Sequence, residues 1–269
     1  MRATYITILI LIVLTSIFFI VEKKGDIKTN NWAWEAWNVD IKEKHDKKIK
    51  VAILDSGIKN KRIVNQYVVK KYDSIKDINV INTTSNHGSQ IASIIAFSSH
   101  EEKIIGVNKS VEIYDVKVLD DNLNGNVNDI INGIKWSIKN DVDIINMSFG
   151  FQSYDKELQK IIHEAKQKGI ILVGAAGNGA DEYSDYPARF SDVISVTAID
   201  EKGKTFLYAP LKKINFKAPG VSVLTLDSSD TKKIETGTSF SAAYFTSYII
   251  SRMSGNHSLE HVLANYSIK

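Results

Sequence analysis

The chain has 269 residues, 43% hydrophobic and 24% charged, with a formal net charge of +3 and no cysteine. That length is enough to bury a substantial core in one large domain or two small ones, and the slight, scattered positive charge leaves no nucleic-acid footprint. The missing cysteines exclude thiol catalysis, disulfides and thiolate-bound zinc.

The chain opens with "MRATYITILILIVLTSIFFIVEKKGD", apolar over residues 5–21 between Arg2 and the pair Lys23 and Lys24. Such a run is short for a membrane-spanning helix and long for a signal-peptide core. Neither a small-x-small cleavage site nor a lipid-attachment cysteine follows it. Residues 1–21 are therefore expected to be an uncleaved signal anchor, with a cleaved signal peptide as the alternative; charge leaves the orientation open. Residues 22–31 read as a polar linker, and residues 32–269 as one domain.

Within that domain the aromatic segment "WAWEAW" precedes a solvated Lys/Glu/Asp stretch. Short apolar runs then alternate with helical patterns. "IKVAILDSG" is a strand ending in a turn, and "NHGSQIASIIAF" carries Ile91, Ile94 and Ile95 at helical spacing. "VEIYDVKVL" reads as a strand, "VNDIINGIKWSIKN" as a helix, and "VDIINMSFG" as a strand. "YDKELQKIIHEAKQKG" is an amphipathic helix closed by Gly169. "IILVGAAGN", "DVISVTAI", "INFKAPG" and "VSVLTL" supply further strands before "IETGTSFSAAYFTSYIIS", a helix apolar nearly all round. Strands apolar throughout that alternate with helices predict an α/β fold with a mostly parallel sheet covered on both faces. In such sheets functional groups collect beyond the carboxyl ends of the strands, which places Asp55, Ser148 and Asn178 at one edge.

Asp55 ends a strand too apolar to welcome an unpaired carboxylate, although a turn or cap role is the common one for such a residue. His87 lies in the first turn of its helix, with Gly88 leaving room for a close neighbour. Ser239 stands before an apolar run, where serine is a favoured N-cap. Each residue has an ordinary structural role available, but the three ordinary roles are less reasonable together, with the flanking glycines, than apart.

The blocks "VAILDSGI", "NHGSQIASIIA" and "TGTSFSAA" resemble the three catalytic blocks of the subtilisin family of serine peptidases, in that family's order Asp, His, Ser. "ILVGAAGN", "YPARFSDVISVTAID" and the long stretch from "GVNKS" to "INMSFG" resemble it too, so the similarity runs from about residue 37 to the C-terminus. The resemblance implies a three-layer subtilisin-like fold, which would follow the membrane helix expected from the apolar run, and makes residues 32–269 a catalytic domain. It also implies Ser239 as nucleophile, His87 as general base, Asp55 as its orienting partner and Asn178 as the oxyanion donor. Ser148, Phe149 and Gly150 would pair with an extended substrate by β-augmentation. Asp185 in "SDYPARF" would lie at the bottom of the pocket for the side chain preceding the scissile bond, favouring Lys or Arg there; its other reading is a surface-loop aspartate in an acidic stretch.

Several features depart from the family pattern. Ala243 and Tyr244 stand where Pro-His is usual, and Gly88-Ser89-Gln90 where Gly-Thr-His is usual. No folded propeptide is recognisable before "WAWEAW". "FSSHEEKIIG" replaces an Asn-rich calcium-binding loop, so no cofactor or metal is expected, and structural calcium lacks support. The expected partners are a peptide or protein substrate and, through residues 1–21, a membrane. The expected place is the cell membrane with the catalytic domain outside the cytoplasm, or secretion if the segment is cleaved, and the expected role is processing of exported peptides. The alternative is a catalytically weak, peptide-binding relative. An esterase is disfavoured because the G-x-S-x-G elbow is absent.

Overall fold

The computed structural model describes residues 31–37, 47–254 and 257–266. The expected membrane segment and nearly all of the expected linker lie outside these residues. Among the described residues no helix is long and apolar enough to cross a membrane.

In chain order the strands are β1 (Ile49–Asp55), β2 (Val68–Asp73), β3 (Ser98–His100), β4 (Lys103–Gly106), β5 (Val111–Lys117), β6 (Ile144–Met147), β7 (Ile171–Ala175), β8 (Ile194–Ile199), β9 (Phe216–Pro219), β10 (Val223–Leu226) and β11 (Lys232–Glu235). The helices are α1 (Trp32–Glu35), α2 (Lys61–Tyr67), α3 (His87–Ile95), α4 (Val127–Lys139), α5 (Lys156–Gln167), α6 (Thr238–Ser254) and α7 (Leu259–Ala264). Seven strands form one sheet in the order β2-β5-β1-β6-β7-β8-β9, and every pairing in it is parallel. The strand "VSVLTL" stands apart from this sheet. As β10 it pairs antiparallel with β11, and β3 pairs antiparallel with β4 across "FSSHEEKIIG".

The sheet is the middle of three layers. Along β1, Ile49, Val51 and Ile53 face a core shared with α3 and α6, while Ala52 and Leu54 face a second core shared with α4 and α5. Successive strand residues point to opposite faces, so a strand covered on both sides carries apolar residues on both, as β1 does from Val51 to Leu54. Helix α5 starts where Asp155 accepts from the Leu158 amide at 2.8 Å, and it stops before Gly169, whose φ of +81° suits a residue without Cβ.

Helix α6 runs through the first core with Tyr244, Phe245, Ile249 and Ile250 fully buried. Tyr244 packs on Trp34 of α1 at 4.8 Å between ring centroids. The Trp34 indole N–H donates to the Ile105 carbonyl at 2.8 Å, and Asn31, in the stretch expected to be linker, is buried and caps α1. The aromatic segment therefore braces the helix that carries Ser239.

One buried group in the sheet is set apart by its environment. Asp115 on β5 accepts from the Ile58 amide at 3.1 Å through Oδ2, while its Oδ1 has no partner among the described residues. Burial pushes its carboxyl up to about 7, against the pull of the Ile58 N–H and the Lys71 charge, with the Asp55 charge adding to the rise. The fold thus keeps a proton that the unfolded chain loses near pH 4. The stability this proton contributes is complete below that pH and is lost as pH rises through about 7. In thermal melts of an inactive background, Asp115→Asn is expected to gain Tm relative to the parent as pH goes from 5 to 8. A constant gap across that range would show Asp115 to be ionised throughout.

Candidate active site

Parallel strands β1, β6 and β7 are neighbours, so their carboxyl ends bring Asp55, Ser148 and Asn178 to one edge of the sheet. The sequence expectation for that edge holds, and α3 and α6 begin above it. Asp55 is 1% exposed. Its Oδ1 accepts from the Ser56 amide at 2.7 Å and the Ser56 hydroxyl at 3.1 Å, and both its oxygens lie 2.9 Å from His87 Nδ1. A carboxylate against Nδ1 places the proton there and leaves Nε2 with its lone pair facing outward.

His87 is the first residue of α3. The helix start comes close to the turn after β1: a Cβ on Gly88 would lie 2.5 Å from the Gly57 carbonyl oxygen, so only glycine permits this approach. The Gly88 amide donates to Ser56 Oγ at 3.2 Å. Burial alone would lower the proton affinity of His87, but the Asp55 charge, the Asp55 hydrogen bond and the Glu235 charge outweigh it and raise the pKa above its ordinary value.

Helix α6 begins at Thr238, so Ser239 is in its first turn rather than at the cap position. Its hydroxyl donates to the Ser148 carbonyl at 2.7 Å, and the Ser148 hydroxyl donates back to the Ser239 carbonyl at 3.0 Å. Behind them Asn146 Nδ2 donates to Ser148 Oγ at 2.8 Å and Thr246 Oγ1 donates to Asn146 Oδ1 at 2.9 Å. This buried chain ties the end of β6 to α6 and fixes where Ser239 stands.

Asn178 accepts through Oδ1 from the Thr238 amide at 3.0 Å and the Thr238 hydroxyl at 3.2 Å, while the Gly177 amide donates to Thr238 Oγ1 at 3.0 Å. The Thr238 N–H is an obligate donor, so the atom facing it must be the oxygen. The Asn178 NH2 is left for the cleft. His87, Asn178, Ser239 and Phe240 line one cleft of about 610 Å³, together with Gln90, Asp121, Leu123 and Glu235. The structure therefore joins His87 to Asp55 and gathers Ser239 and Asn178 around the same space, but the Ser239 hydroxyl is directed to Ser148 rather than to His87.

Asp185 is half-buried between two loops. A Cβ on Gly150 would lie 2.9 Å from its Oδ2, and one on Gly177 would lie 2.4 Å from the same oxygen. The glycines make room for this carboxylate beside residues 148–150. Gln152 donates to Oδ1, and no Lys or Arg pairs with Asp185 among the described residues. Burial first, then the Asp181 charge, raises its pKa against the Gln152 hydrogen bond. The main-chain groups of Phe149 and Gly150 make no hydrogen bond among the described residues, while Phe149 packs against the second core.

Sequence reasoning did not assign Thr238, Asn146, Thr246, Gln90 or Glu235. Thr238 and Glu235 stood in the same quoted stretch as Ser239, but their partners come from other elements.

An α/β fold with a histidine–carboxylate pair, a serine and an amide around one cleft at the carboxyl edge of its sheet defines a class of hydrolase-like architecture. Comparison with known proteins identifies the family. The subtilase family profile (Peptidase_S8) matches residues 46–262, and the chain belongs to that family. It is 32% identical to the thermostable alkaline protease of Halalkalibacterium halodurans over 76% of this chain and 58% of that protein. To the minor extracellular protease Epr of Bacillus subtilis it is 35% identical over 70% of this chain and 29% of that one. Subtilisin DY of Bacillus licheniformis is 31% identical, with 73% of each chain covered. The chain spans about half the length of several curated relatives it matches. Among solved structures, sphericase superposes with a TM-score of 0.76 at 21% identity, covering 88% of this chain and 89% of that one. A cold-adapted subtilisin-like serine proteinase gives 0.73 at 22%, covering 82% of each. These structures share its subtilisin-like fold.

Proposed function

We propose that this chain is a serine endopeptidase in which Ser239 attacks the peptide carbonyl and His87 accepts the Ser239 proton. The observation that carries the reading is Asp55 against His87 Nδ1 at 2.9 Å from both oxygens, with His87 lining one cleft together with Ser239 and Asn178. A serine hydroxyl is a weak nucleophile at neutral pH and needs such a base, held in one tautomer. Attack requires the Ser239 hydroxyl to turn from the Ser148 carbonyl toward Nε2, exchanging one hydrogen bond for another. Catalytic hydrogen bonds of this kind commonly form only once substrate is in place.

As Ser239 Oγ bonds to the carbonyl carbon, its proton passes to Nε2 and the carbonyl electrons move onto oxygen. Asn178 Nδ2 donates to that oxyanion. Collapse breaks the C–N bond, and His87 gives the proton to the departing amine. Water then repeats the sequence on the acyl-enzyme, with His87 again as base. Asp55 stabilises the imidazolium formed in each half.

The open main-chain groups of Phe149 and Gly150, next to Ser148, would pair with an extended substrate. Asp185 beside them would meet the side chain before the scissile bond. A half-buried carboxylate without a cation favours Lys or Arg, with Arg able to pair through two N–H groups. The chain is proposed to act outside the cytoplasm on exported peptides; the name of one relative, an extracellular protease, supports the location alone. The Ser239–Ser148 hydrogen bond is the one observation that favours a weak, peptide-binding relative instead, and covalent labelling of Ser239 separates the two.

The test is mass spectrometry of products from a peptide library. Cleavage after Arg and Lys is expected, and Asp185→Asn should lower kcat/KM for Arg substrates at least about tenfold while changing Leu or Phe substrates little. A wild-type preference for large apolar side chains at that position would remove Asp185 from the pocket and leave the catalytic reading standing.

A further inference from the structure

We propose that Glu235 makes the leaving side of this cleft select a substrate with a cationic side chain just after the scissile bond; the inference rests on the peptidase reading above. Glu235 ends β11 and lines the cleft with His87 and Ser239. Gln90 Nε2 donates to its Oε1 and to Thr225 Oγ1 at 3.3 Å. Gln90 and His87 are three apart on α3, hence on one face, so Gln90 pins the Glu235 carboxylate on the His87 side of the cleft. Phe240 closes that side, its ring 5.7 Å from the His87 ring.

His87 must hand its proton to the departing amine, so the leaving half of the substrate has to pass along this side. Asp185 and residues 148–150 do not line this cleft and reach Ser239 from another element, through the Ser148–Ser239 hydrogen bond. The two carboxylates therefore address different halves of the substrate.

Charge decides which cleft carboxylate is free to recruit a cation. Asp121, also lining the cleft, is held by Lys117 Nζ at 2.9 Å and by the hydroxyls of Thr83 and Thr84 at 2.9 and 2.7 Å. The lysines nearest Glu235 along β11 pair elsewhere, Lys232 with Glu101 at 3.6 Å and Lys233 with Asp227 at 3.5 Å. No ion pair engages Glu235 among the described residues. A Lys or Arg side chain of the substrate would supply the missing partner, and a Glu there would meet repulsion. Together with Asp185, this assigns cleavage between two basic residues.

The experiment uses internally quenched peptides that carry Arg or Phe before the bond and Lys, Gln or Glu immediately after it. With the wild-type enzyme kcat/KM should fall in the order Lys, Gln, Glu, with Lys over Glu at least about tenfold at low salt and the ratio shrinking as salt screens the pair. Glu235→Gln, which keeps an acceptor for Gln90, should bring the ratio to within about twofold, and Glu235→Lys should reverse the order. Equal cleavage of the Lys and Glu peptides by the wild type, or a Lys preference that survives in Glu235→Gln, would overturn the assignment while leaving the peptidase reading intact. Cleavage of none of the peptides would overturn both.

Discussion

Ser239→Ala is expected to lower kcat by about 10⁴-fold or more while leaving the fold and peptide binding in place. The side chain loses one hydroxyl, and with it a single hydrogen bond to the Ser148 carbonyl, a stability change of about 1 kcal/mol. The Ser148 hydroxyl still holds the Ser239 carbonyl, so the start of α6 stays tied to β6. His87→Ala should be about as damaging, and the double variant little worse than either, because the two groups act in one proton transfer. A fluorophosphonate probe should label the wild-type chain at Ser239, located by mass spectrometry, and should fail on Ser239→Ala. Residual turnover within tenfold of wild type would reject Ser239 as the nucleophile. A wild-type chain that binds peptides but takes no label would establish the weak-binding reading.

The parts of this site legible in the sequence were those with local grammar. Asp55 closes a mostly apolar strand, His87 opens a helix beside Gly88, and Ser239 stands in the first turn of a helix buried along most of its length; each position is marked by the change from one pattern to the next. The same logic exposed the central sheet, because β1, β6 and β7 are covered on both faces and so read as largely apolar runs, while β5 is covered on both faces with Glu112, Asp115 and Lys117 interspersed. It missed β2, whose Val69 and Lys70 are exposed at the sheet edge. It also said nothing about which sheet "VSVLTL" would join, since an apolar run does not name its partner. The supporting contacts were invisible for a related reason. Asn146 and Thr246 are 100 residues apart, and Gln90 and Glu235 are 145 apart; no spacing along the chain reports such pairs. Asp185 falls between these cases. Its place in "SDYPARF" suggested a pocket, but the space that receives it is made by Gly150 and Gly177 from other loops.

Asn178→Ala should reduce kcat strongly with little change in KM, because the oxyanion that its amide serves exists only after attack. For subtilisin, a member of the same family, removing the corresponding donor is known to cost about 100- to 1000-fold in kcat; that figure is carried over to this chain rather than obtained from its geometry. What the geometry adds is a reason for the amide to be ready. Its oxygen is held from one side by the N–H and hydroxyl of Thr238, which leaves the NH2 committed to the cleft before substrate arrives. The Thr238 hydroxyl also accepts from the Gly177 amide, so one residue fixes both the loop and the donor. Thr238→Val should accordingly lose part of the same kcat, with KM again little changed. In the Asn178→Ala background that further loss should largely disappear, since there is no amide left to orient. Steady-state kinetics on the four variants of this cycle checks the argument. Full additivity would mean that Thr238 acts on catalysis by a route other than Asn178, and a kcat for Asn178→Ala within about threefold of wild type would remove this side chain from the oxyanion site.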